Sequence, residues 1–401
     1  MRILFVHEIS WLDKVTYEIH DIPELLSLAG HRVTFIDFAE TDRHNLSKKF
    51  RRWKTTVSSG MTRAHQGSTV DVLTPGYIAT GIWGRLLNSL TFIPLFWRTV
   101  KGKKIDVVVL YGVPTNGLQT VLLARILKVP VLFRAIDVSH QLRKFSFRFL
   151  IRLAERFVYK GVDHISCHNE ALKKYCISLG ADASKISIEF PRLDVTRFKP
   201  IGRSEELAST YGISVNSRVV FFRGTLYRFC GLEKFIELFS TYLKSHPDVC
   251  VLIIGGGEAE GSIRKTVMNY DLDSQVLIAP FVDYESLVTH ICLADVSINT
   301  FSPSLVTHCA LPGRVLQSMS CGIPVVSTPL EGMMSYSNGS DAVTYRELDH
   351  SFVDAVIDLL TDASKCKALG DAGRQLVESK GTWDEFVINF QLQLKSLRNT
   401  K

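Results

Sequence analysis

The run ADVSINTFSPSLVTHCALPGRVLQSMSCGIPVVSTPLEG, from Ala294 to Gly332, decides the architecture of this chain. Val296 to Ile298 is a short apolar run that stops at polar residues and a proline, as a buried strand stops at a loop. Leu311-Pro312-Gly313 leads into Val315, Leu316 and Met319, whose spacing is helical. Pro312 suits the first turn of that helix, where a missing N–H costs nothing. Cys321-Gly322-Ile323-Pro324 stops the helix, and Val325-Val326-Ser327 makes the next strand. Strand, loop, helix and strand in this order put the helix N-terminus at the carboxyl end of a sheet, where such folds bind ligands. N–H groups of Gly313, Arg314 and Val315, with the Arg314 guanidinium, make a place for a phosphate. The plainer alternative is one more βαβ unit, with Arg314 a solvated surface charge.

The 401 residues, 46% of them hydrophobic, allow two or three domains with large cores. Met1 to Glu8 reads as a first buried strand, its apolar run too short for a signal peptide. The window Leu86 to Trp97 is interrupted by Asn88 and Pro94 and falls short of the ~20 residues that span a bilayer. Eight cysteines show no CxxC or zinc-like spacing, which predicts reduced structural thiols in a cytoplasmic protein and no metal site. The net charge is +7, and its clusters fall in the first half, at 48–54, 98–104 and 143–160. Phe50, Trp53, Phe92, Phe96, Trp97, Phe145, Phe147 and Phe149 are interleaved with them. Solvated helix faces account for any one cluster. Three together predict contact with an anionic membrane or a polyanionic acceptor rather than nucleic acid.

Taken in order, a helix from about Val15 to Leu28 and a strand at Val33 to Phe38 follow the first strand, the opening of a doubly wound sheet. No G-x-G-x-x-G follows a strand, which argues against a nicotinamide-type dehydrogenase. Residues 39–68 are polar, basic and without period, and read as an insertion or mobile loop. Further strands are expected at Val70–Leu73, Ile105–Tyr111, Val129–Phe133, His164–Cys167 and Ile186–Phe190. His7-Glu8 and Asp137 to His140 lie at strand ends, where chemistry would sit; Asp137 or Ser139 could equally N-cap the next helix. A second sheet begins at Val219 to Phe222 and runs into Arg223-Gly224-Thr225. VLIIGGG, Val251 to Gly257, is a buried strand entering a glycine turn. The strand from Val276 leads to Phe281-Val282-Asp283, where Asp283 suits a helix cap. Helices are expected at Ser351–Leu360 and Ala363–Ser379, and a last one runs from Thr382-Trp383 to about Leu397.

Pro312, Arg314, Gln317, Ser320, Gly322, Pro324-Val325-Val326 and Glu331-Gly332 resemble the signature region of the nucleotide-sugar glycosyltransferases of family four, whose fold is called GT-B. Gly180, Lys185-Ile186, Asp194, Phe198 and Pro200 are similar to that family's passage from the first domain into the second. The resemblance implies an α/β fold with two doubly wound Rossmann-like domains facing each other across a cleft. It implies a first domain of 1–197, rejoined by a C-terminal helix at 384–401, and a donor domain of 198–383. Gly224, Thr225, Arg228, Arg223, Val282, Cys309, Gly313, Arg314, Val315 and Gln317 would then bind the donor, with Arg228 preferred over Arg223 for its place in the loop. His140 or Asp137 would face the sugar as catalytic residues.

The sequence departs from the family in two places. Cys309 and Gln317 stand where two glutamates eight positions apart are usual, and Thr225 and Cys230 stand where the family carries two cations. The implied activity is transfer of a sugar from a nucleotide-sugar co-substrate, with no other cofactor and no metal, with retention of anomeric configuration. The acceptor would be a lipid-linked saccharide, glycolipid or cell-envelope polysaccharide, met by a protein peripheral on the inner face of the membrane. Two alternatives stay open: a non-catalytic GT-B partner subunit or sugar-binding module, and a sugar-nucleotide epimerase of the same fold.

Overall fold

The computed structural model describes residues 1–13, 16–38, 53–78, 81–138 and 148–400, with the backbone alone at 81–86. The chain divides into two compact units, Met1–Pro191 with Asp384–Lys401, and Arg192–Trp383.

The first unit is built on an eight-stranded sheet. Its strands are β1 (Arg2–Val6), β2 (Arg32–Ile36), β3 (Thr56–Met61), β4 (Val70–Thr74), β5 (Val107–Leu110), β6 (Val131–Ala135), β7 (His164–Cys167) and β8 (Ile186–Ile188). Their order is β3-β4-β2-β1-β5-β6-β7-β8. Every described pairing is parallel except β3 with β4. VVVL of β5 and VLFRA of β6 are buried throughout, as continuous apolar strands covered on both faces must be. The helices are α1 (Glu18–Leu28), α2 (Gly81–Lys103), α3 (Gly117–Ile126), α4 (Arg148–Gly161) and α5 (Glu170–Ser178). The stretch 39–68 differs from the expectation of a loop, because its described part holds β3 on the sheet edge. Alternation of Thr56, Ser58 and Met61 with more exposed neighbours supports an edge strand without an apolar run.

The second unit has a six-stranded, all-parallel sheet ordered β11-β10-β9-β12-β13-β14. These strands are β9 (Arg218–Arg223), β10 (Val249–Ile254), β11 (Val276–Ala279), β12 (Val296–Asn299), β13 (Val325–Ser327) and β14 (Thr344–Tyr345). Helices α6 (Glu205–Thr210), α7 (Leu232–Ser245), α8 (Glu260–Asn269) and α9 (Leu287–Ile291) come before β12. After it come α10 (Leu305–Cys309), α11 (Gly313–Ser320), α12 (Glu331–Ser337), α13 (His350–Thr361) and α14 (Ala363–Ser379). Helix α15 (Trp383–Asn399) lies, from Asp384 on, in the first unit. Strand order reverses between β9 and β12, and open parallel sheets take ligands outside the carboxyl ends at such a switch point.

Candidate donor site at the β9–β12 switch point

The deciding stretch folds as strand β12, helix α10, helix α11 and strand β13. The loop expected before α11 therefore contains a helical turn, which Ser304 and Thr307 cap reciprocally. Pro312 is the N-cap of α11 rather than a residue of its first turn. Its carbonyl accepts the N–H of Val315 at 3.0 Å. The cradle expected from Gly313, Arg314 and Val315 thus narrows to the N–H groups of Gly313 and Arg314. Gly313 is exposed, and a Cβ there would meet nothing within 4 Å. Val315 instead gives its side chain to the core.

Arg314 reaches back from α11 across the switch point. Its Nη1 donates to the carbonyl of Arg223, the last residue of β9, at 2.8 Å. Its guanidinium carbon lies 4.5 Å from the Phe222 ring centroid and 4.4 Å from that of Phe301. A guanidinium between two aromatic rings is held flat and partly dehydrated. Arg223 in turn donates from Nη2 to Oε1 of Gln317 on α11. Burial and, after it, the nearby Arg314 charge push the Arg223 pKa down to about 10. Burial lowers Arg314 as well. Among the described residues no carboxylate contributes to the electrostatics of either arginine. Two dehydrated cations without an acid are costly in a bare protein and suited to a bound anion.

Glycines bring the loops this close. A Cβ on Gly224 would lie 2.8 Å from Arg314 Nη1, and one on Gly255 would lie 2.0 Å from the Gly224 carbonyl. Gly255 has φ 153°. Leu226 donates its N–H to the Gly256 carbonyl at 3.0 Å, so the turn of VLIIGGG lies directly against the loop after β9. Thr225 is exposed in that loop. Cys230 is buried, its thiol donating to the Thr225 carbonyl at 3.4 Å. Burial raises the Cys230 thiol pKa, with Arg314 the main opposing charge.

The remaining predicted donor residues scatter. Arg228 opens a single turn of 3-10 helix, exposed, and its N–H faces Glu258 at 3.5 Å. Arg223, and not Arg228, is the residue joined to Arg314 and Gln317. Cys309 is buried at the end of α10, and Gln317 is buried with its oxygen engaged by Arg223. Val282 packs on the core around Phe198 and Ile254, while its neighbour Phe281 is 51% exposed. Phe222 and Phe301 were not legible as site residues, since each reads as an ordinary apolar residue at a strand end.

In the first unit, Asp137 is half-buried just beyond β6. His140 lies outside the described residues. Glu8 accepts the N–H groups of Thr115 and Asn116, at 2.6 and 2.7 Å, just before α3. A larger polar feature went unread. Arg134 of β6, fully buried, donates from Nε and Nη2 to both oxygens of Glu18, at 2.8 and 2.9 Å. His168, just past β7, lies 2.9 Å from Glu18 Oε2. Burial acts to raise the Glu18 pKa, but Arg134 and His168 outweigh it and hold the carboxyl well below its usual range. An arginine inside the apolar run VLFRA is the signal that could have exposed this group, because a buried cation has to be paired.

The family model described as Glycosyl transferase 4-like domain matches residues 19–188, and that of Glycosyl transferases group 1 matches 204–376. A GDP-mannose-dependent monoacylated alpha-(1-6)-phosphatidylinositol monomannoside mannosyltransferase of Corynebacterium glutamicum is 24% identical over 48% of this chain and 51% of its own. The chain spans 50% to 61% of the length of this and three other curated relatives. Sucrose-phosphate synthase from Thermosynechococcus elongatus superposes with a TM-score of 0.79 at 14% identity, over 100% of both chains. Anabaena HepE in complex with UDP and glucose gives 0.74 at 15% identity, over 99% of this chain and 100% of its own. Both likenesses are of fold. Each unit carries its own glycosyltransferase domain, and the chain belongs to the GT-B glycosyltransferases.

Proposed function

We propose that this protein transfers a sugar from a nucleotide-sugar donor to a lipid-linked, glycolipid or cell-envelope polysaccharide acceptor, working at a membrane surface. The observation that carries the donor half is the pair of half-buried cations, Arg223 and Arg314, beside the open N-terminus of α11. A leaving nucleoside diphosphate gains negative charge as the glycosidic bond breaks. Guanidinium groups and helix N–H dipoles already aimed at that charge stabilise the transition state without reorganising. These groups supply the electrostatic work that a metal does elsewhere, which supports metal-independent transfer. Arg223 takes over, in this reading, for the cations absent at Thr225 and Cys230. Retention of configuration rests on the family resemblance. In this reading backbone groups around Phe281 and Val282 contact the base edge, and the packing of Val282 on the core supports a fixed turn there. As the family resemblance implies, His140 hydrogen-bonds the sugar or Asp137 orients the acceptor. The mannosyltransferase relative, whose name specifies a phosphatidylinositol monomannoside, favours a lipid-borne acceptor.

One observation favours a second reading, a partner subunit that binds nucleotide without turnover. Gln317 spends its oxygen on Arg223, and Cys309 offers no carboxylate. The two readings separate in one experiment: purified protein, radiolabelled UDP- and GDP-sugars and an extract of envelope lipids. Label entering the lipid phase supports transfer. Nucleotide binding with no transfer and no donor hydrolysis supports the partner subunit instead.

A further inference from the structure

Helices α2, α3 and α4 form one layer on the first unit, with α3 packed between the other two. Their sequences contain a single acidic residue, Glu155, which is buried and accepts the Tyr175 hydroxyl at 2.5 Å. The exposed ionic side chains of this layer are therefore all cationic, among them Arg98, Lys101, Arg125, Arg152 and Arg156. Apolar side chains stand out between them: Leu90 is 59% exposed, Ile126 64% and Phe149 77%. On α4 the two kinds of residue form separate stripes. Phe149, Leu153 and Phe157 recur every four residues, and Arg152, Arg156 and Lys160 do so on the adjoining line. Ile151, Glu155 and Val158 make the third, buried stripe. Tyr159, beside that stripe, is buried as well.

We infer that this outer face docks on an anionic lipid bilayer, with Phe149, Leu153 and Phe157 entering the headgroup boundary and the α4 arginines meeting lipid phosphates. The inference identifies the membrane contact of the function proposed above and rests on that reading for its lipid acceptor. Charge complementarity selects an anionic partner, since no exposed acid on these helices opposes one. The apolar stripe then selects a bilayer over a soluble polyanion, because a phenylalanine on the outer face gains free energy only where it leaves water. Among the described residues no helix is long and apolar enough to cross a membrane, so contact by this face is by surface docking.

The test is sedimentation of the full chain with vesicles of phosphatidylcholine alone and of phosphatidylcholine mixed with phosphatidylglycerol. The protein should pellet with the mixed vesicles and stay in solution with the neutral ones. Phe149→Ser with Phe157→Ser should lower partitioning roughly tenfold or more, and Arg152→Glu by a similar factor. Both sets of positions are exposed, so an unchanged melting temperature certifies the fold. Absence of binding by the folded parent protein overturns the inference. So does binding to dextran sulfate that matches the vesicles and ignores the serine variants. A dimer in solution that the serine variants dissociate would show a second copy of the chain to be the occupant, and would overturn it too. Each readout is independent of nucleotide binding and transfer, so this inference and the transferase reading fail separately.

Discussion

Arg314, from the first turn of α11, donates to the carbonyl of Arg223 at the end of β9 at 2.8 Å. This bond crosses the point where the strand order of the second sheet reverses. The guanidinium of Arg223 turns instead to Gln317 on the same helix, and among the described residues no carboxylate is paired with either arginine. Under the proposed function, removing Arg314 removes a charge-assisted contact to a bound diphosphate, worth about 1.5–3 kcal/mol. Arg314→Ala should therefore weaken nucleoside diphosphate binding roughly tenfold to a hundredfold, measured by calorimetric titration. Arg228→Ala should leave it within a factor of about two, because that side chain is exposed.

Gly255 sets how near the two glycine loops lie. Its φ of 153° is unfavourable for an L side chain, and an added Cβ would sit 2.0 Å from the Gly224 carbonyl. Backbone must move to admit it. Gly255→Ala should cost about 2–4 kcal/mol in urea unfolding, from strain and overpacking together. Gly313→Ala meets open space and should cost less than about 1 kcal/mol.

Glu18 and Arg134 are a buried pair whose halves depend on each other. Glu18→Gln leaves Arg134 charged and unmatched, and should destabilise the protein by about 3–5 kcal/mol. Replacing both, as Glu18→Gln with Arg134→Met, should cost less than the single change. The pair also predicts acid sensitivity. Because the folded-state pKa of Glu18 is depressed, its stabilisation is present above the ordinary carboxylate range and is lost as pH falls below it. Denaturant titrations across acid pH, with and without the double replacement, measure that loss.

Asp37 works in the opposite direction. It is buried past the end of β2, accepts the Trp11 N–H at 3.1 Å, and burial raises its pKa to about 6. A raised folded-state pKa means the stability is fully present below the unfolded value of 3.8 and lost as pH rises through about 6. The loss approaches about 3 kcal/mol at neutral pH. Asp37→Asn keeps the acceptor and drops the charge, so it should raise the melting temperature at pH 8 and do little at pH 4.

Much of the fold was legible because parallel strands buried on both faces leave continuous apolar runs such as ILFV, VVVL and VLII. The helix ends at Gly322 and Pro324 were equally plain. Two things hid the rest. Strand β3 and helix α10 are short and polar, so no periodicity marks them, and their hydrogen bonds to β4 and within the Ser304–Thr307 cap decide them. At the candidate donor site the stretch 312–317 pointed to Arg314 and the helix terminus. Arg223 was named too but ranked below Arg228, because an arginine ending a strand has the same appearance whether it meets solvent or a second arginine. Phe222 and Phe301 come together only through the pairing of β9 with β12.

Thermal unfolding in the presence of nucleoside diphosphates tests the central claim most directly, because a ligand that binds only the folded form raises its melting temperature by mass action. Saturating diphosphate of the correct base should shift the parent protein by several degrees and the Arg314→Ala variant hardly at all. A parent protein that no nucleoside diphosphate or nucleotide sugar stabilises would contradict the account, and so would a shift that survives intact in the variant.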